Sequence, residues 1–135
     1  MNDTFTGVAC VDWLGDALLV VSDAPRSDGC WYDDAGAVRV RVRPVYLERL
    51  VRMAFDQIRQ AAVDNPAVLI RILETIRRIA PRMPEEGPRR ALRDEADAVW
   101  EAVASGQVLV GLDRKDVEAA WQRAQTAVEE PAASR

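Results

Sequence analysis

The stretch Leu50–Ile79, LVRMAFDQIRQAAVDNPAVLIRILETIRRI, sets the tightest limit on what this chain can fold into. In its second half Val68, Leu69, Ile72, Leu73, Ile76 and Ile79 recur at three- and four-residue steps. That spacing places side chains on one face of an α-helix. Leu47, Leu50, Val51, Ala54, Ile58, Ala61 and Ala62 form a second stripe of the same period. Asp64-Asn65-Pro66 stands between them. Asparagine caps a helix by accepting from first-turn N–H groups, and proline fits the first helical position because its missing N–H has no helical partner there. Two amphipathic helices joined by so short a link are antiparallel or steeply crossed neighbours. Each large apolar side chain fully buried contributes roughly 1.5–3 kcal/mol, so these stripes are the strongest folding signal in the chain.

Elements fall on either side of this pair. Residues 3–22 read as a first helix, with Asp3 as its cap and Gly7, Cys10, Val11, Leu14, Ala17, Leu18 and Val21 on one face. Phe5, Val8, Trp13, Leu19 and Val20 fall off that face, so the helix is apolar on more than one side and needs cover on both. After a loop, Cys30-Trp31-Tyr32 and Val38–Arg43 read as the strands of a hairpin closed at Asp33-Asp34-Ala35-Gly36. Strict alternation directs Val38, Val40 and Val42 to the domain and Arg39, Arg41 and Arg43 outward. Pro44 is expected to open the second helix, which runs to about Val63. Beyond the breakers Pro81, Pro84, Gly87 and Pro88, a fourth helix is expected from Arg89 to Ala104 with Leu92, Ala96, Val99, Trp100 and Val103 inward. A fifth follows, capped by Asp113, with Val117, Ala120, Trp121, Ala124 and Val128 on its face. The expected fold is α+β and mostly α: about five helices with one two-stranded β-hairpin between the first and second. Residues 1–130 read as a single soluble domain, its C-terminal helical part at 84–129, and 131–135 as a disordered tail.

Charge removes several classes of function. The chain carries a net charge of −4 and has two cysteines and no histidine. Histidine-based triads and the usual zinc sites are therefore excluded, and no cofactor or metal is expected. The charges are segregated. Residues 1–38 hold one Arg against seven Asp, residues 39–82 ten Arg against four acids, and residues 83–135 seven bases against eleven acids. The simple reading is that acidic ends pack beside a basic middle; the sharper one is that the middle meets an anionic partner. Cys10 and Cys30 lack a CxxC partner and read as free thiols. No apolar run approaches the roughly 20 residues that span a bilayer, the longest being Ala17–Val21.

The candidate ligand site is the polar run Asp56, Gln57, Arg59 and Gln60, which could share a cleft with Asp12 and Asn65 where helices converge. A small-ligand or enzyme domain built on Asp12, Asp56, Gln57, Arg59 and Asn65 is one alternative. Asp12 and Asp16, four apart, lack a third ligand at useful spacing, so no metal is assigned to them. Arg71, Arg77, Arg78 and Arg82 on a helix-link-helix suggest a nucleic-acid regulator as a second alternative. The acidic total opposes it, and no nucleic-acid partner is expected.

Three separated blocks resemble a bacterial family of predicted membrane proteins, the domain of unknown function 2254. They are Asn2-Asp3-Thr4-Phe5-Thr6-Gly7 with Cys10-Val11-Asp12-Trp13-Leu14-Gly15; Phe55-Asp56-Gln57-Ile58-Arg59-Gln60; and Asn65-Pro66-Ala67-Val68-Leu69 with Leu73-Glu74-Thr75. The likeness covers about residues 2–80, and Thr4 stands where the family usually has proline. It implies transmembrane helices in the parent protein, so this chain is expected to be a truncated, C-terminal soluble portion. It supplies no catalytic residues. The resulting expectation is a non-enzymatic domain acting in assembly, regulation or partner binding. Its parent would sit in the bacterial inner membrane, with this domain on the cytoplasmic side. Its expected partners are the transmembrane portion of the parent, an anionic lipid surface touched by Arg39, Arg41 and Arg43, and a second copy of itself.

Overall fold

The computed structural model describes residues 3–24, 28–106, 109 and 111–130, the side chain of Leu112 excepted. Among these residues the order is α1 (Thr4–Asp23), β1 (Cys30–Tyr32), β2 (Val38–Arg41), α2 (Leu47–Ala61), α3 (Pro66–Ile79), a 3₁₀ turn (Ala80–Arg82), α4 (Glu86–Ser105) and α5 (Leu112–Glu129). The fold is the expected one: mostly α, with one antiparallel hairpin between α1 and α2. The expected tail at 131–135 lies outside the described residues.

α3 is the axis of the structure. Asn65 caps it, its Oδ1 accepting from Val68 N at 3.4 Å, and Pro66 opens it. Its whole apolar stripe is solvent-free, and it packs against all four other helices. Val51 and Phe55 of α2, Leu92, Ala96 and Val99 of α4, and Val117, Ala120 and Ala124 of α5 complete the same core. Trp100 and Trp121 stack at the α4–α5 contact with centroids 5.5 Å apart, and Trp121 Nε1 donates to Asp97 at 3.0 Å. The buried Arg89 closes the end of α5 by donating to the carbonyls of Val128 and Glu130.

Four local expectations are corrected. α2 starts at Leu47, not Pro44. Val42 N still donates to the Gly29 carbonyl at 2.8 Å, so the chain reaches Pro44 extended, and a residue preceding proline is held extended as well. α4 starts at Glu86, since Pro88 fits within a first turn whose N–H groups have no helical acceptor. α5 is preceded by Gly111 at φ 65°, and Asp113 stands inside the first turn, where its charge meets the positive end of the helix dipole. In α2, Phe55 is buried together with the expected Leu47 and Val51, while Ala61 is exposed.

The hairpin departs furthest from expectation. Its turn is as read: Gly36 takes φ 78°, and Asp33 accepts from Ala35 N and Ala37 N at 3.0 and 2.8 Å. But Val38, Val40 and Val42 do not face the domain. Every residue of β2 is exposed, Val40 to 52%. Cys30 pairs with Arg41 and Trp31 with Val40, but Tyr32 pairs with Val38, a bulge that leaves Arg39 over. A bulge re-aims the strand, and the strands pack chiefly on each other, not on a helix. Alternation reports a buried face only where another layer lies beneath the sheet.

Candidate functional site

α1 is fastened to α3 along a seam of polar contacts. Asn65 Nδ2 donates to Thr4 Oγ1 at 2.8 Å. Arg71 holds both oxygens of Asp12, at 2.6 and 2.7 Å. Arg78 pairs with Asp16 at 2.6 Å, and Arg82 with Asp23 at 3.1 Å. The four contacts follow the same order along both helices, so α1 and α3 run parallel. At the middle of the seam stands Gly15, buried against Thr75. The Arg71 guanidinium, donating to the Asp12 carboxylate, holds that carboxyl below its ordinary value.

A second polar seam joins α2 to α4. Arg59 bridges Asp56 and the Glu95 carboxylate, the latter at 2.9 Å. Arg52 reaches Asp94 at 3.2 Å, and Gln60 donates to Asp56 at 3.2 Å. Glu95 is only 5% exposed. Burial pushes its carboxyl above the ordinary value, with Arg59 opposing the shift.

The five residues considered as one ligand site are thus divided between two seams. Asp56 and Arg59 meet each other on the α2–α4 seam. Asp12 and Asn65 lie on the α1–α3 seam, and Gln57 is exposed. Arg71, Arg78, Arg82 and Glu95, which complete these contacts, were not singled out as their partners. The signal for them was the charge segregation, with Asp12, Asp16 and Asp23 in the acidic N-terminal part and the arginines in the basic middle. The acidic ends do pack beside the basic middle. Of the three arginines assigned to an anionic surface, Arg39 is held by Asp33 at 2.6 Å, while Arg41 and Arg43 are exposed.

What the seams leave open is an apolar surface. With its acids turned to α3, α1 exposes Phe5 to 81%, Trp13 to 72% and Val20 to 71%. The helix reaches a mean hydropathy of 1.5 over 18 residues, with 28% of that window buried. By length and composition it is apolar enough to cross a membrane, although its longest unbroken apolar run is only Ala17–Val21. At its C-terminal end Val21 and Ala24 join Trp31, Val42, Val45 and Tyr46 around a groove of about 560 Å³. The surface continues along α2 to Met53. Cys10 and Cys30 are half-buried free thiols. The Tyr32 hydroxyl donates to Asp28 at 2.9 Å, and with that charge beside it its pKa is pushed up to about 12.

The described residues thus form a helical body with two polar seams and an open apolar face on α1. The chain belongs to the family of predicted membrane proteins DUF2254, whose model matches residues 1–78. That span takes in α1, the hairpin, α2 and nearly all of α3. Neither a curated protein nor a solved structure matches the chain.

Proposed function

We propose that this chain is a non-enzymatic assembly or regulatory domain of a membrane protein, held against apolar transmembrane helices by the outward face of α1. The observation that carries the reading is the two-sidedness of α1. Its acids are clamped by Arg71, Arg78 and Arg82, while Phe5, Trp13 and Val20 have nothing over them. Exposed apolar surface of this kind marks a contact with protein or membrane. The helix is read as docked along its length, not as spanning a bilayer. Crossing would carry Asp12 and Asp16 away from their arginines into hydrocarbon, at about 3 kcal/mol or more for each charge near the bilayer centre. Membership of a predicted membrane protein family supports the setting. The cytoplasmic side is favoured because basic segments beside a membrane are retained there.

The test compares the chain with a Trp13→Asp/Val20→Asp variant. The unaltered chain is expected to self-associate through the open face at high concentration in sedimentation experiments and to fractionate with membranes. The variant is expected to be monomeric at the same concentration, with an unchanged thermal transition. An unaltered chain that sediments as a monomer at high concentration, and is absent from the membrane fraction, overturns the reading.

A further inference from the structure

We infer that the surface running from the base of the hairpin along the start of α2 is a docking site for the anionic headgroup region of a lipid bilayer. The assignment rests on the reading of the chain as a membrane-facing domain and adds a second contact, of different chemistry, to the one on α1. The two open surfaces adjoin where Val21 and Ala24 meet Trp31 and Val42, yet they differ in charge. From Asp3 to Ala24 the chain has no Lys or Arg, so the outward face of α1 has no cation of its own. The hairpin and α2 surface carries Arg41, Arg43 and Arg49, all exposed, beside Val45, Tyr46 and Met53.

Three features select the occupant. First, the arginines are available. Among the described residues no ion pair engages Arg41, Arg43 or Arg49, whereas Arg39 is held by Asp33. Asp28 feels the charge of Arg41, but its oxygens accept from Cys30 N and the Tyr32 hydroxyl. Glu48 and Glu85 stand at the body side of the groove, with Glu48 over Gly87 at the start of α4. Second, guanidinium groups bind phosphate oxygens in a bidentate manner, and Trp and Tyr are the side chains enriched at the bilayer interface. Trp31 and Tyr46 are 53% and 61% exposed in the midst of these cations. Third, a strand that alternates valine with arginine and is exposed throughout finds both its needs at a headgroup layer: acyl chains for valine and phosphates for arginine. A second copy of the chain would bring the same arginines together and repel.

The test is flotation of the whole chain with vesicles of phosphatidylcholine alone, or of phosphatidylcholine with phosphatidylglycerol. Binding is expected only with the anionic lipid and is expected to fall as salt rises. An Arg41→Gln/Arg43→Gln/Arg49→Gln variant is expected to bind about a hundredfold more weakly, from about 1 kcal/mol for each charge near the surface. Trp31→Ser is expected to abolish a blue shift of tryptophan emission on binding. Trp13→Asp/Val20→Asp is expected to leave flotation unchanged, which separates this site from the α1 face. Thermal transitions of each variant check that it folds. Equal flotation with both vesicle types, no flotation, or flotation that survives the triple substitution overturns the proposal. So does flotation lost only in the α1 variant, and in that case the α1 contact stands without this one.

Discussion

Gly15 of α1 crosses Thr75 of α3 so closely that a Cβ on Gly15 would overlap Thr75 Cγ2 and lie 3.0 Å from Arg78 Nη2. Thr75 is 2% exposed and cannot swing away, whereas Arg78 is the far end of a flexible side chain. Gly15→Ala is therefore expected to destabilise the fold by about 1–3 kcal/mol through overpacking. Thr75→Ser removes the clashing methyl and is expected to recover most of the loss when combined with it. Urea titration of both single variants and the double variant measures this, and simple additivity would show that the two residues do not meet.

The Asp12–Arg71 pair gives a pH dependence of one sign. The folded-state pKa of Asp12 lies below the ordinary 3.8. The pair's contribution is then complete above about pH 4 and is lost as pH falls through the lowered value. Both side chains are partly exposed, at 40% for Arg71 and 30% for Asp12, so solvent screening limits the contribution to about 1 kcal/mol. Between about pH 5 and about pH 2 the unaltered chain is expected to lose more stability than Asp12→Asn, by up to about that amount. Parallel acid titration curves for the two would refute this.

Glu95 gives the opposite sign. Its carboxyl is raised above the ordinary 4.5, so ionised Glu95 costs stability at neutral pH, and that cost is relieved as pH falls through the raised value. Arg59 offsets it. Arg59→Met, which leaves the buried carboxylate alone, is expected to cost about 3 kcal/mol at neutral pH and less near pH 5. Arg59→Met/Glu95→Gln is expected to regain most of the loss, because no uncompensated charge remains buried. A loss that does not depend on pH would assign Arg59 a packing role instead.

The hairpin valines are expected to be dispensable for folding. Val38→Thr and Val40→Thr remove apolar surface that is already in water, so each is expected to shift stability by no more than about 0.5 kcal/mol. A loss above about 2 kcal/mol, the size for a buried side chain, would mean that the strand does pack on the body.

The helices of this protein are legible in its sequence, and the reason is local. Val68 to Ile79, Leu92 to Val103 and Val117 to Val128 each repeat with the period of one helix, and each stripe is buried apart from the half-buried Trp100 and Trp121. The Asn65-Pro66 cap and the Gly36 turn are written in adjacent residues and appear where expected. Helix starts were less legible, because Pro44, Pro88 and Asp113 each suit more than one position in or before a first turn. Only the tertiary structure decided which charges meet. Asp12 could have lined a cleft with Asp56; the parallel alignment of α1 on α3 gives it to Arg71, across 59 positions of chain. Only the tertiary structure decided, too, that the alternating hairpin covers no core and that the second apolar side of α1 stays open. Periodicity states that a face is apolar. What lies over that face depends on layers brought together from distant parts of the chain, and no local pattern encodes them.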